Sequence, residues 1–449
     1  MKKVLSTVAA LGLIAGLAST ASAVEFKMSG KYLVEGAYLS DARGAGVVTT
    51  AVSDNPSDAY WLHTFEIKPT MKVNDKISMS SVIRLADDTM WGSSADTAST
   101  AANNNDVYVH QLYMDYASPI GNMRFGRTPA GTYGTNFMDS DKRADRVMLY
   151  PSFLADGPWS TLFYIEKSKD QQTGAILTPS ATYQSDKDTD KYVARVYYKS
   201  DSLDSGLHYA YGRNMTEDSA LLGVAQASIK DVKQELTAYG KYKMDNYFVN
   251  AELTHYFGSV DYTAATSVDY DSWAGMLQVG GKFDALTPSL MYFYAEGQDM
   301  NSTDREAALV GSTAAASGTG DMFEPLYILT GRNTGMLNTD IFSGNTGLLT
   351  TAGIHAIVAA ADYAVSNQLT LHGAIGWAKA DQAAITGYTN RDDSYGWEYN
   401  VGAAYKLLDN LTYEAHFGYL DTGDFFKSTA TANDAENVYI LTHSLTMTF

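Results

Sequence analysis

The 449 residues carry 51 Asp and Glu against 32 Lys and Arg, a formal net charge of −19, and this acidic balance excludes nucleic-acid binding, which needs a basic surface. Cysteine is absent, which excludes disulfides, thiolate metal sites and Cys-x-x-Cys-His haem attachment; no cofactor is expected, and stability must come from backbone pairing and packing. With 32 Tyr, 16 Phe, 6 Trp and 37 Gly against only 9 Pro, the composition suits one large sheet with few interruptions, because strands favour aromatic side chains and proline cannot donate to a ladder.

The chain opens with Lys2 and Lys3, an apolar run over 4–18 and then Ala21-Ser22-Ala23, the order of a secretory signal peptide with cleavage expected after Ala23. The run is shorter than the ~20 residues that span a bilayer, and no later stretch is apolar enough to be a transmembrane helix. Residues 24–449 then form a single domain.

From residue 26, Phe26, Met28, Gly30, Tyr32, Val34, Gly36 and Tyr38 alternate with Lys27, Ser29, Lys31 and Glu35. Period two of this kind is a strand with one apolar and one polar face. Trp61, His63, Phe65, Ile67, Pro69 and Met71 repeat it against Glu66 and Lys68, and Asn74-Asp75 turns the chain into the next strand, where Ile77, Met79 and Ile83 oppose Ser78, Ser80 and Arg84. Short turns are expected at 74–75, 118–122, 154–158, 202–205, 245–246, 284–288, 366–367 and 409–410. Longer connections fall near 40–58, 87–105, 128–143, 170–188, 215–232, 258–272, 299–350, 381–394 and 422–435. Eight short turns and nine long loops imply about eighteen antiparallel strands; omitting the two weakest, 123–127 and 144–153, leaves sixteen.

The expected fold is all-β, a transmembrane antiparallel β-barrel with short periplasmic turns, long extracellular loops and an open aqueous interior. A soluble sandwich, β-helix or propeller fits less well: no short fixed-length repeat is present, the strands are long, and aromatic residues gather at strand ends. Tyr38, Tyr60, Trp61, Tyr116, Tyr256, Tyr292, Tyr294, Trp377, Trp397 and Tyr419 are expected in interfacial girdles. The last strand, with Tyr439, Leu441, Leu445, Met447 and Phe449 on one face, resembles the terminal signal of outer-membrane barrel proteins of Gram-negative bacteria.

The run Gly121-Asn122-Met123-Arg124-Phe125-Gly126-Arg127-Thr128 resembles the strand of general bacterial porins that ends in Gly-Arg and leads into the constriction loop. The resemblance implies an outer-membrane location, a loop over about 128–145 folded into the barrel, Arg127 as a wall arginine, Asp139, Asp141 and Asp145 as acidic loop residues, and a possible homotrimer, although an eighteen-stranded barrel can equally be a monomer. Lys142, Arg143 and Arg146 mix positive charge into the acidic segment. Parity independently turns Lys31, Glu35, Glu66, Lys68, Arg84, Arg124, Arg195, Glu235 and Lys241 inward, so Arg84, Arg124 and Arg195 join the expected constriction. Arg127 shares the parity of Phe125 and faces inward only if the strand bulges at Gly126.

The implied function is passive diffusion of ions and small hydrophilic solutes. Acidic excess in the lumen or vestibule predicts weak cation preference. Acidic excess confined to the outer loops instead predicts divalent ions bridging to lipopolysaccharide. A barrel enzyme is disfavoured, because none of His63, His110, His208, His255, His355, His372, His416 and His443 stands in a catalytic motif. Two further readings are the barrel sheath of a porin–cytochrome electron conduit and an adhesin. The adhesin rests only on the segment 299–350, which reads better as a mobile surface loop or a second lid.

Overall fold

The structure is a computed structural model, and it describes residues 24–40, 57–91, 107–129, 133–135, 137, 143–155, 157–169, 188–215, 228–262, 267–299, 301–302, 304–307, 323–330, 352–383, 392–426 and 437–449. The expected leader, Asp139 and Asp141 lie outside them. The strands are β1 (Glu25–Leu39), β2 (Asp58–Lys72), β3 (Ile77–Met90), β4 (Tyr108–Ser118), β5 (Gly121–Thr128), β6 (Ala144–Pro151), β7 (Trp159–Lys169), β8 (Thr189–Lys199), β9 (Leu203–Asn214) and β10 (Ser228–Met244). They continue with β11 (Tyr247–Tyr262), β12 (Val268–Gly281), β13 (Leu286–Ala295), β14 (Arg305–Glu306), β15 (Ile354–Ala364), β16 (Leu369–Lys379), β17 (Ser394–Leu408), β18 (Leu411–Thr422) and β19 (Val438–Thr448).

Eighteen of these build the wall, each antiparallel to its neighbours; β14 is a two-residue piece parallel to Asp269 and Tyr270 of β12. β1 pairs with both β2 and β19, which closes the sheet and leaves no edge. All eight short turns fall where expected, at the end of the barrel that also holds Glu25 and Phe449, and the strand ends that flank the longer connections lie at the other end. The weakest expected pair is present as β5 and β6, so the count is eighteen and not sixteen.

The two faces are inverted relative to a soluble protein. Leu112, Leu207, Leu253, Leu277 and Leu441 point outward and are each about half exposed, at 47 to 53%, while Thr237, Thr254 and Ser272 are buried on the inner face. An outward apolar band and a polar lumen are what a bilayer demands of a barrel, and no helix among the described residues is long and apolar enough to cross a membrane. Aromatic pairs mark the long-loop border of the band, with the rings of Trp61 and Trp91 stacked at 5.5 Å and those of Tyr38 and Tyr439 at 5.8 Å. Two expected girdle residues are corrected: Tyr60 and Tyr256 are buried on the inner face, because each alternates with an outward neighbour, Trp61 and His255.

Over β5–β9 the band ends in a row of charge. Arg127, Asp145, Lys167, Asp190 and Arg213 are successive partners across five strands, outward and at the long-loop end. One step lower the row reads Phe125, Val147, Ile165, Tyr192 and Tyr211. Lys167 Nζ lies 2.9 Å from Asp190 Oδ1 and Arg213 Nη2 2.9 Å from Asp190 Oδ2. The expected bulge at Gly126 is therefore absent: β5 pairs residue for residue with β4 and β6 through this point, and the φ of +122° at Gly126 absorbs the irregularity without an extra residue. Arg127 and Asp145 face outward and not the pore.

Parity gives a direct test. Leu253→Arg, near the middle of β11 on the outer face, is expected to lower unfolding stability in lipid by about 2–4 kcal/mol, whereas Asn250→Arg, on the inner face of the same strand, is expected to cost far less. Equal losses in denaturant titrations of the two refolded variants would contradict the assignment of faces.

Candidate functional site

The inner wall is divided. Along β1–β5 it is largely polar and charged, and strand register places several of its basic groups beside acid, while β6–β9 turn an apolar cluster of Met148, Leu162, Tyr164, Val193 and Ala210 inward. Arg84 of β3 stands opposite Glu66 of β2, with its Nε 3.4 Å from Glu66 Oε2 and its Nη1 donating to Asp87, which also accepts from the Tyr108 hydroxyl. Glu66 additionally holds Lys68 at 2.8 Å. Arg124 of β5 forms a two-pronged bond to Asp115 at 2.6 and 3.1 Å, and its guanidinium lies 4.2 Å from the Tyr113 ring centroid. Bidentate pairing and ring contact fix the guanidinium planes, so these charges stand at set positions.

Two cavities follow this wall. One, of about 610 Å³ at the short-turn end, is lined by Glu25, Lys27, Lys72, Asp75, Lys76, Asp115 and Arg124 among others. The second, of about 480 Å³, lies farther along and is lined by Lys31, Glu66, Lys68, Arg84, His110 and Tyr113 among others; Thr70 lines both. Together they present seven basic side chains against four acidic ones. At the mouth, the hydrogen bond from Lys72, 2.8 Å away, holds the Asp75 carboxyl below its ordinary range, so it stays ionised at neutral pH. The cavities of a strongly acidic chain are thus net basic, and its acidic excess lies elsewhere.

Two loop segments enter the lumen. Tyr133, in the connection after β5, is buried among Tyr197, His208 and Tyr239 with ring centroids 5.7, 5.1 and 5.0 Å away, and the Arg195 guanidinium lies 4.9 Å from its ring. Burial pushes its phenol above the ordinary value. Gly134, at φ +68°, leaves room for the Glu252 carboxylate of β11, which accepts from the Thr135 backbone N–H at 2.6 Å and from its hydroxyl at 2.8 Å. Arg146 of β6 secures the start of the same connection, donating to the Pro129 carbonyl at 2.8 Å while its Nε bonds Glu166 at 2.8 Å.

The second segment, residues 323–330, lies against the inner face of β12–β19 in an apolar cluster containing Phe293, Ile354, Val358, Phe323, Leu326, Ile328 and Leu329. Glu398 of β17 is fully buried there, and its two carboxyl oxygens accept the backbone N–H groups of Ile328 and Leu329, each at 2.8 Å. Phe137 joins the two segments, its ring 5.0 Å from Phe323 and 6.3 Å from Phe293. The segment expected as a surface loop or second lid thus has a stretch seated in the lumen.

Of the expected constriction residues, Arg84 and Arg124 line the cavities. Arg195 faces inward but is only 6% exposed, roofed by Tyr133 and hydrogen-bonded through Nε to His208 at 2.8 Å. Arg127 and Asp145 lie on the outside. Arg146, Glu252 and Glu398 were missed, although the parity that selects Arg84 applies to each: they alternate with Val147, Leu253 and Trp397 on the outer face.

No family model matches the sequence, and no curated protein matches it. Solved structures do. The chain superposes on OpdQ of Pseudomonas aeruginosa with a TM-score of 0.53 and 11% identity, covering 94% of this chain and 97% of that one. OccK8 (OprE) of the same organism gives 0.50 at 12% identity, covering 95% and 98%. An anion-selective porin of Comamonas acidovorans gives 0.46 at 12%, covering 95% and 100%. With closure, strand count and inverted faces already established, the likeness to OpdQ and OccK8 identifies the fold: the chain is a porin-like β-barrel of the outer-membrane type.

Proposed function

We propose that the protein is a channel for passive diffusion of ions and small hydrophilic solutes across the outer membrane of a Gram-negative bacterium, with no chemical step. The observation that carries this reading is the pair of polar cavities running from the short-turn end along β1–β5, beside the part of the lumen that residues 133–135, 137 and 323–330 enter. Transport through such a path is governed by its narrowest section and by the field of the fixed charges. Residues 133–137 stand in the connection proposed to narrow the pore, over about 128–145. The basic majority on the cavity walls supports weak anion preference, the opposite of what acidic excess in the lumen would produce. Occupation of the lumen by the chain's own segments leaves less of the wide bore that an electron-conduit sheath needs. Outside, the row from Arg127 to Arg213 supports contact with lipopolysaccharide phosphates at the outer leaflet.

The test is single-channel recording of refolded protein in a planar bilayer under a salt gradient. Persistent steps with an anion-biased reversal potential are expected. A folded barrel without conductance would remove the diffusion reading, and a cation bias would remove the role given to the basic wall.

A further inference from the structure

We propose that Glu398 is the positioning residue of a seated plug, in which residues 323–330 dock into a glycine bed on the inner wall and thereby set the bore of the channel; this inference rests on the diffusion reading above. The bed consists of Gly376 on β16, Gly402 on β17 and Gly418 on β18, on neighbouring strands. A Cβ on Gly376 would stand 2.8 Å from both methyl carbons of Leu326; one on Gly402 would stand 2.9 Å from the Tyr327 hydroxyl; one on Gly418 would stand 3.3 Å from Tyr327 Cβ. Three absent side chains are replaced by two from the segment, so the loop takes the place of the wall's own inner surface.

The segment is shaped to be held. Thr330 closes it into a turn, with its hydroxyl donating to the Leu326 carbonyl at 2.9 Å and accepting from the Leu326 N–H at 3.0 Å. The turn presents the N–H groups of Ile328 and Leu329 side by side, and the two oxygens of Glu398 take one each. Tyr327 adds a hydrogen bond of 2.8 Å between its hydroxyl and His416 Nδ1 on β18. Buried N–H groups need acceptors, and without Glu398 two consecutive ones would face an apolar cluster. On its other side the plug carries Phe323, whose ring stacks edge-on against Phe293 at 5.0 Å and Phe137 at 5.0 Å. The plug therefore buttresses the segment that follows β5, and solutes are left the basic side of the lumen.

The absence of cysteine in the chain makes a clean test possible. The Cβ positions of Tyr327 and Gly418 lie 3.3 Å apart, a few tenths of an ångström inside the ~3.5–4.5 Å a disulfide spans, so with a small shift of the segment Tyr327→Cys with Gly418→Cys is expected to cross-link in the folded barrel, read as a redox-dependent change of gel mobility. Glu398→Ala is expected to raise unitary conductance on the order of twofold as the plug leaves its seat and the open cross-section grows. Oxidised Y327C/G418C in the same chain is expected to return conductance to the wild-type value, and reduction to raise it again. Folded E398A with wild-type conductance overturns the proposal. If E398A does not fold, Glu398→Gln, which leaves one of the two N–H groups without an acceptor, takes its place: conductance higher with the Cys pair reduced than oxidised in that chain supports the plug, and equal conductance overturns it. A folded wild type without conductance overturns the diffusion reading instead; the seat then stands on complete cross-linking and falls on none.

Discussion

Replacing Lys31 and Lys68 by glutamate reverses the sign of the channel's ion preference. Both side chains line the 480 Å³ cavity, and the change turns seven basic and four acidic groups along the path into five and six. Lys68 now screens Glu66 at 2.8 Å; its replacement sets two carboxylates side by side and leaves Arg84 as the remaining cation on Glu66, at 3.4 Å. A pair of charges 4 Å apart interacts by about 1 kcal/mol in bulk water and about 4 kcal/mol at the effective dielectric near a protein surface, so a solute ion passing this wall experiences a substantial change. Screening sets the conditions. The Debye length is about 10 Å at 0.1 M salt and about 3 Å at 1 M, so the reversal is expected at the lower concentration and fades at the higher. Reversal potentials for the wild type and the Lys31→Glu, Lys68→Glu double variant at both concentrations check it, with heat-modifiable gel mobility confirming the fold. An unchanged sign at low salt would mean that ions take a route away from β1–β5.

The residues at stake were legible because the lumen along β1–β5 is polar. Lys31, Glu66, Lys68, Arg84 and Arg124 alternate with membrane-facing apolar residues, and period two assigns them correctly. The other half of the barrel hides its period. In β15 the inward residues Ile354, Ala356 and Val358 are as apolar as the outward Ile357, because residues 323–330 cover them and no water reaches that face. Turns were legible from Asn-Asp pairs and Gly, which adopt the backbone a tight reversal needs; Asp245 and Asp284 do so at φ 50° and 52°. The inward placement of Tyr60 and Tyr256 is legible in parity, although tyrosine as a residue type suits an interfacial girdle. At Arg127 parity pointed outward, and only the assumed bulge turned it in. The partners of Glu252 and Glu398 were not legible at all: parity aims a carboxylate at the lumen, and nothing in a strand says which distant loop will offer it hydrogen-bond donors.

The same reliance on close backbone approach governs barrel closure, where Gly30→Val is expected to be among the most damaging single changes outside the lumen. The seam between β1 and β19 ends with Gly30 and Phe449 exchanging both backbone hydrogen bonds, at 2.9 and 3.1 Å. The Phe449 ring folds back over Gly30, with its centroid 6.3 Å from that of Phe65 on β2, so three strands meet beneath one aromatic group. A Cβ on Gly30 would overlap that ring and stand 2.8 Å from the Glu66 carbonyl oxygen. The ring can swing away, but the carbonyl belongs to the β1–β2 ladder and cannot. Overpacking of this kind costs about 1–3 kcal/mol, and here it falls on the pairing that removes the sheet's last edge. Phe449→Ala separates the two contributions: if the ring is seated on Gly30, the loss caused by G30V is smaller in the F449A chain, with a coupling of about 0.5–3 kcal/mol. Urea unfolding of the four chains in lipid measures it. Strict additivity would mean that the ring has no seat there and that only the ladder resists the added side chain.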